Sequence, residues 1–351
     1  MTDREVAAAG AGQGRVTLQV IADRLDVSTA TVSLALRDSP VVADATKLRV
    51  RTLARELGYI YNRSAASLRT ARTNMIAVGF HDITNPYFAE LLSAIEDAVT
   101  GAGKTILLGT YGESLERQDR VLGSLREYRP DGMILCAAGG TRAGIVEGMV
   151  AARVPVVQLS REVEGVDLDF IGSDDREGAL RALHHLHALG HRRIAMLGGS
   201  DLTSTGRSRR AGYRAGLRHF GISFDPALML EGLGHRETGL RGIMTLLDLP
   251  DPPTAALCFN DLIAFGAMLG LRHRGMEAGA DFSIVGCDDV HEAALWYPAL
   301  TTIHNRQDEM GRGSAELLIQ RIEDPSAPVR RVLLEPRLVV RGSTAPPRRT
   351  G

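Results

Sequence analysis

The chain has 351 residues, 44% of them hydrophobic, and a formal net charge of -1 at pH 7, which suits several folded domains and excludes a disordered chain. No apolar run reaches the length of a membrane-spanning helix, and Cys136, Cys258 and Cys287 lie far apart within apolar runs. A membrane protein and a disulfide-framed secreted domain are therefore set aside, and the thiols are expected buried in a reducing compartment. The near-neutral total hides an asymmetry. Residues 15–72 carry ten Lys/Arg against five Asp/Glu, and residues 73–351 carry thirty against thirty-five. A basic head on an acidic body is expected of a nucleic-acid-binding module joined to a module that binds something else.

Residues 1–14, MTDREVAAAGAGQG, have neither the charged nor the apolar region of a signal peptide and read as a flexible leader of a cytoplasmic protein. In VTLQVIADRLDVSTATVSLALRDSP, Thr17 can cap a helix carrying Val20, Ile21 and Leu25, and Ser28 can cap a second helix a few residues later. Two short helices joined by a tight turn predict a helix-turn-helix. Val27, Val32 and Leu36 fall on its inward face, which leaves Thr29, Ala30, Ser33, Leu34 and Arg37 outside. Asp26 stands at the turn, where a left-handed backbone is expected. A third helix, TKLRVRTLARELGY, presents Val50, Leu53, Ala54 and Leu57 on one side and stops at Gly58. Ala43 precedes it where a serine would cap better.

NRSAASLRT, Asn62 to Thr70, holds a single large apolar side chain, Leu68. It is too short and too poor in apolar surface to hold a helix alone in water. After Thr73 the runs MIAVGF, TILLGT, GMILCA, VPVVQLS, DFIGSD, RIAMLGG, AALCFN and FSIVGCDD alternate with amphipathic stretches. That alternation predicts parallel sheets covered on both faces, and so many strands suit two successive doubly wound lobes better than one wide sheet. Ligands of such folds bind beyond the carboxyl ends of the strands.

Eight motifs in order carry a family resemblance: VTLQVIA at Val16, VSTATVS at Val27, ELGY at Glu56, SLRT at Ser67, NPYFAE at Asn85, LGHRRIA at Leu189, RRAGY at Arg209 and PALTTI at Pro298. Singly they are weak; in this order and spacing the chain resembles the lactose-repressor (LacI/GalR) family. The resemblance implies an α/β protein with a three-helix headpiece, a hinge helix, and two doubly wound lobes like those of periplasmic sugar-binding proteins. The division expected is a leader at 1–14, a headpiece at 15–60, a hinge at 61–73, an effector and dimerisation domain at 74–341, and a flexible tail at 342–351. The N-lobe would take about 74–173 and 305–335, and the C-lobe about 175–303 and 337–341.

The resemblance implies a repressor that binds palindromic double-stranded operator DNA under the control of a small polar effector such as a sugar. An inducing effector is the commoner direction in the family. No catalytic residue, metal or cofactor is expected. The DNA-binding positions it implies are Thr17, Ser28, Thr29, Ala30, Thr31, Ser33, Leu34, Asn62, Arg63, Ala65 and Leu68. Leu68 aligns with a minor-groove wedge, and Leu34 stands where many relatives carry arginine. Arg37, Lys47, Arg49, Arg63 and Arg69 are further candidates for phosphate. The effector-binding positions implied are Tyr87, Phe88, Ser160, Arg161, Asp175, Thr205, Arg209, Asn260 and Asp288. These types suit a polyhydroxylated ligand, although Arg161 and Arg209 could also hold a carboxylate or phosphate.

Competing readings attach to the same residues. Leu34 could pack inside the headpiece, Asp288 and Asp289 could merely cap a helix, and Trp296 and Tyr297 could be pocket walls or a subunit interface. His184, His187 and His191 have helical spacing that invites a metal, yet no fourth ligand is identifiable. No heptad-bearing segment follows the lobes, so a homodimer is expected rather than a tetramer. The alternative function is a cytoplasmic solute-binding or sugar-processing protein on the same two-lobed fold.

Overall fold

A computed structural model describes residues 16–60 and 72–348, which fall into two compact units divided between Thr73 and Asn74. The leader, most of the hinge segment with Asn62, Arg63, Ala65, Leu68 and Arg69, and residues 349–351 lie outside the described residues.

The first unit contains α1 (Leu18–Leu25), α2 (Thr29–Leu36) and α3 (Asp44–Glu56). Its core is Ile21, Ala22, Val32, Ala35, Val42, Val50 and Ala54, with Leu25, Val27, Leu36, Leu53 and Leu57 packed against it. Asp26 ends α1 in the left-handed region, φ 53°, as the turn requires. Ser28 caps α2, its Oγ accepting from the Thr31 amide at 3.0 Å. Ser28→Ala should lower headpiece stability by about 1 kcal/mol; an unchanged melting profile of the isolated residues 15–60 would dismiss the cap.

Several expectations change here. Thr17 sits at the N-cap of α1 but makes no side-chain cap bond. Val20 is 37% exposed, because the inward face of α1 is set by Ile21 and Ala22. Ser33 is only 8% exposed rather than outside, since α2 packs on both neighbouring helices and draws it inward. Leu34 is half-buried against the core, between its two readings. Lys47 is held by Asp38 and Asp44, so it is not a free cation.

The second unit holds two six-stranded sheets. The strands are β1 (Met75–Phe80), β2 (Thr105–Thr110), β3 (Gly132–Cys136), β4 (Val156–Leu159), β5 (Asp169–Ser173), β6 (Ile194–Leu197), β7 (Met229–Leu230), β8 (Ala255–Cys258), β9 (Ser283–Asp288), β10 (Thr301–His304), β11 (Arg331–Leu334) and β12 (Arg337–Val339). The helices between them are α4 (Pro86–Gly101), α5 (Leu115–Glu127), α6 (Ala143–Ala151), α7 (Asp175–Ala188), α8 (Ser204–His219), α9 (Arg236–Leu247), α10 (Asp261–His273), α11 (His291–Leu295) and α12 (Gln307–Glu323). The first sheet runs β11-β5-β4-β3-β1-β2, all parallel. The second runs β12-β10-β9-β8-β6-β7.

The eight expected runs all form strands. Four more escaped because β7, β11 and β12 are short and partly exposed edges and because β10 lies within a motif rich in Thr. β12 is antiparallel to β10, a departure from all-parallel sheets that follows from its short return after β11. The chain passes between lobes three times: after β5, after β10 and between β11 and β12. Arg321 on α12 holds the second return, donating from Nε and Nη2 to the Asp169 carboxylate at 2.9 and 3.1 Å. A fork matched to a buried carboxylate is a strong, directional link.

The flexible tail expected at 342–351 is docked through residue 348. Ser343 is fully buried, accepting from the Thr301 amide at 2.8 Å and donating to the Ile284 carbonyl at 2.7 Å. The segment thereby satisfies backbone groups at the ends of β9 and β10 that would otherwise be orphaned. The three cysteines are free and buried, as their apolar neighbours led us to expect. Among the described residues no helix is long and apolar enough to cross a membrane.

Candidate functional site

A cleft of about 200 Å³ opens between the carboxyl ends of the two sheets. The C-lobe side is organised by Arg209 on α8. Its Nε donates to Asp175 Oδ1 at 2.7 Å, a second nitrogen reaches the Phe259 carbonyl, and Nη2 lies 3.8 Å from Asp288 Oδ1. The guanidinium carbon also stands 4.7 Å from the Phe259 ring centroid, a cation–π distance. Asp175, read as pocket-facing, sits behind the arginine and supports it rather than lining the cleft. Burial pushes both carboxyls up, Asp288 well above the usual carboxylate range, while Arg209 pulls each back down. Burial disfavours the guanidinium's charge too, yet Asp175 and Asp288 hold its pKa raised, so Arg209 stays a cation.

Asp288 ends β9 with φ 127° and Asp289 follows with φ 55°. Two successive non-glycine residues in this region are a costly backbone, of the kind that clusters at binding sites. The capping reading fails: Val290 is the N-cap of α11, which has no side-chain cap bond. Asp288 instead accepts from Asn305 Nδ2 at 3.2 Å, and Asp289 pairs with Arg341 at 2.7 Å. Asp261, fully buried, braces this turn: Oδ2 accepts from the Val290 amide at 2.9 Å and Oδ1 from the Thr302 hydroxyl at 2.5 Å. Burial raises its carboxyl to about 7.

Thr205 and Asn260 line the same side. The Asn260 amide is largely committed, since Oδ1 caps α10 through the Ile263 amide at 2.9 Å and Nδ2 donates to the Gly234 carbonyl at 3.0 Å. It shapes the wall more than it offers free bonds.

The N-lobe side holds Tyr87, Phe88, Ser160 and Arg161. Asn85 caps α4 by accepting from the Tyr87 amide at 3.1 Å, which turns both aromatic rings toward the cleft. Ser160 has φ 63° just beyond β4. Glu113 accepts from Arg161 at 2.9 and 3.2 Å and lies 3.7 Å from His81 Nε2. His81 packs edge-on to Phe88, centroids 4.5 Å apart.

His81, Asp82, Asn85, Glu113, Leu233, His235 and Phe259 also line the cleft and were not singled out from sequence. The usable signal was position, because most follow a strand's carboxyl end. Asp261 and Asn305 gave none, for their partners are seventeen or more residues away.

Direct bonds join the lobes around the cleft. The Gly140 amide donates to the Leu202 carbonyl at 2.9 Å, the Glu162 amide to Ser204 Oγ at 2.9 Å, and Arg207 pairs with Glu164 at 2.6 Å.

Burial, with Arg161 nearby for His81, pushes the rings of His81 and His191 below the usual histidine value near 6.5. The unfolded chain therefore takes up these protons as pH falls below about 6.5 while the folded chain does not, so stability present above that pH is lost on acidification. His191→Gln should show a shallower fall of Tm from pH 7 to pH 5 than the parent; parallel curves would refute the assignment.

The other expectations resolve simply. His191 is buried between Thr254 Oγ1 at 2.8 Å and Ser283 Oγ at 2.9 Å, whereas His184 and His187 flank the Phe220 ring. Their helical spacing thus serves packing, and among the described residues no group of three His, Cys, Asp or Glu could hold a metal. Trp296 stacks on Phe265 at 4.4 Å and Tyr297 is 74% exposed, so neither walls the cleft. In the headpiece Thr17, Ser28, Thr29 and Ala30 are exposed, and Thr31 is half-buried with its hydroxyl 2.9 Å from that of Ser28.

A helix-turn-helix unit followed by two parallel-sheet lobes around a polar cleft defines the class of ligand-responsive DNA-binding regulators. Residues 17–62 match the bacterial regulatory proteins, lacI family, and residues 183–344 match a periplasmic binding protein-like domain. The chain is 30% identical over 330 residues to the HTH-type transcriptional repressor CytR of Escherichia coli strain K12, covering 93% of this chain and 96% of that one. The Lac repressor dimer bound to operator and the anti-inducer ONPF superimposes with a TM-score of 0.83 at 28% identity, over 95% of this chain and 100% of that one. The transcriptional regulator CelR in complex with cellobiose gives 0.71 at 30% identity, over 94% and 100%. The chain belongs to the LacI family of bacterial regulatory proteins.

Proposed function

We propose that this protein is a cytoplasmic homodimeric repressor that binds a palindromic operator and releases it when a neutral, polyhydroxylated small molecule enters the cleft. The single observation that carries the effector side is the pairing of charges. Arg161 is matched by Glu113, and Arg209 by Asp175 and Asp288, so no cation is left over for an anionic ligand. A sugar's hydroxyls can join such pairs as donors and acceptors, with the Phe88 and Phe259 rings near its C–H faces. The sugar-acid and phosphosugar readings lose support for the same reason.

Tyr87, Phe88, Ser160, Arg161, Thr205, Arg209, Asn260 and Asp288 would face the effector, with Asp175 behind them. Binding would act through the lobes, since a ligand shifts a two-state equilibrium only by its differential affinity for the two states.

On the DNA side, Thr29 and Ala30 would meet base edges, with Leu34 beside them, in the major groove, and Ser28, Thr31, Ser33 and Thr17 would lie nearer the backbone. Asn62, Arg63, Ala65 and Leu68 would act from the hinge. The split of the chain into two compact units between Thr73 and Asn74 supports this plan, with a headpiece at 15–60 and a hinge at 61–73 within the first. A twofold dimer presents two headpieces and so requires paired half-sites.

The test is a gel shift of the full chain on DNA flanking its own gene, with and without sugars. We expect a salt-sensitive complex that one sugar dissolves. Sequence-independent binding alone would overturn the repressor reading.

A further inference from the structure

A second cavity, a groove of about 570 Å³, lies along the outer edge of the C-lobe between β7 and α9, and it shares Leu233 and His235 with the cleft. We propose that this groove is a second subsite of the effector pocket. It would take the second ring of a two-ring ligand, a disaccharide or a glycoside, whose first ring occupies the cleft. The inference rests on the effector reading above and extends it.

Three observations support it. The first is size. Pockets for drug-sized ligands run from about 300 to 1,000 Å³. The cleft alone, at about 200 Å³, falls short, while the volumes of cleft and groove taken together reach that range.

The second is the wall between them. Residues 231–235, EGLGH, are pinned at two points: Gly232 bridges to Gly199, and the Gly234 carbonyl accepts from Asn260 Nδ2 at 3.0 Å. A Cβ at Gly234 would fall 2.8 Å from that same Nδ2, so any larger residue there would displace the Asn260 amide. Asn260, expected to bind effector directly, thus also sets the partition. Leu233 crowns the wall, 56% exposed and touching both cavities. A large apolar side chain held at such a junction is suited to being covered by a ligand that crosses it.

The third is the chemistry of the groove. Its floor is Leu230 over the fully buried Leu197, with Leu233 at one edge, and its lining also carries Glu237, Thr238 and Arg241. An apolar floor under polar edges fits the faces of a pyranose ring or an aryl aglycone, since both stack a flat apolar side and keep polar groups at the perimeter. Glu231, in the same lining, is fixed by Arg210 at 2.6 Å and gives the groove a rigid side.

The experiment compares the full chain with Thr245→Trp and Leu233→Ala. Thr245 is exposed on α9 at the groove and does not line the cleft, so tryptophan would fill the groove without disturbing a core. Glucose, galactose and xylose are titrated beside their disaccharides and para-nitrophenyl glycosides by calorimetry. Expected is at least one disaccharide or aryl glycoside binding tenfold or more tightly than its free monosaccharide. Thr245→Trp should erase that advantage while leaving monosaccharide affinity unchanged, and Leu233→Ala should reduce it.

Preference for disaccharides alone or for aryl glycosides alone would say which second unit the groove accepts, and either supports the subsite. A free monosaccharide binding as tightly as its derivatives overturns it, and so does a Thr245→Trp change that is nil or equal for both lengths. If no compound of either length binds, the sugar reading of the cleft falls and the subsite with it. Monosaccharide binding without a two-ring preference removes only the subsite.

Discussion

Arg209→Met should abolish effector binding and destabilise the effector domain by about 3–5 kcal/mol, the usual penalty for removing one partner of a buried ion pair. Methionine keeps much of the volume but removes the donors that engage Asp175 Oδ1 and the Phe259 carbonyl and that face Asp288. Two buried carboxyls would then lack their cation, and both are already raised by burial. The stability loss should shrink as pH falls, because the carboxyls can protonate and become neutral at little further cost. Adding Asp175→Asn should recover part of the stability and none of the binding. Calorimetry with the effector and thermal unfolding at two pH values read these outcomes separately. A variant that binds effector with parental affinity would remove Arg209 from the site, whatever its stability.

The second large effect is expected outside the effector domain. Leu68→Ala should weaken operator binding by about tenfold to a hundredfold, roughly 1.4–2.8 kcal/mol, while the effector domain keeps its affinity and its Tm. A wedge inserted between base steps must offset an unstacking cost of a few kcal/mol, and alanine is too short to fill the opened step. Leu68 stands alone among small and polar residues of its segment, so the change is expected to leave the effector domain's stability untouched. Circularly permuted operator fragments would show whether the duplex is bent less by the variant. Unchanged affinity and unchanged bending would return residues 62–70 to the status of a linker.

Much of the organisation was legible before any coordinates. Strands β1 and β2 coincide with the runs MIAVGF and TILLGT, because continuous β-rich apolar runs between turn signals mark a strand whether it is buried, as β1 is, or a partly exposed edge, as β2 is. The left-handed turn at Asp26 and the Ser28 cap were equally local, since each involves residues within three positions of one another. Arg209 and Asp288 became candidates through the family resemblance, whereas their local positions, inside a helix and at a strand end, were equally open to non-binding roles.

What escaped is what distance in sequence conceals. The exposure of Val20 and the burial of Ser33 depend on where α1 and α3 press against α2, which helical spacing within one segment leaves open by a fraction of a turn. His191 has its partners at Thr254 and Ser283, more than sixty residues away, so the groups it bonds could not be read from its neighbours. Ser343 was read as part of a polar tail for want of the Thr301 amide and Ile284 carbonyl that bury it.

By itself the sequence determined the two-part plan and the alternation of strand and helix. Both follow from patterns within a dozen residues, where backbone periodicity and turn chemistry act. Only the tertiary structure decided which charges neutralise which. Glu113 answers Arg161 from another strand's end and Asp175 answers Arg209 from another helix, pairings that no pattern within either local segment discloses.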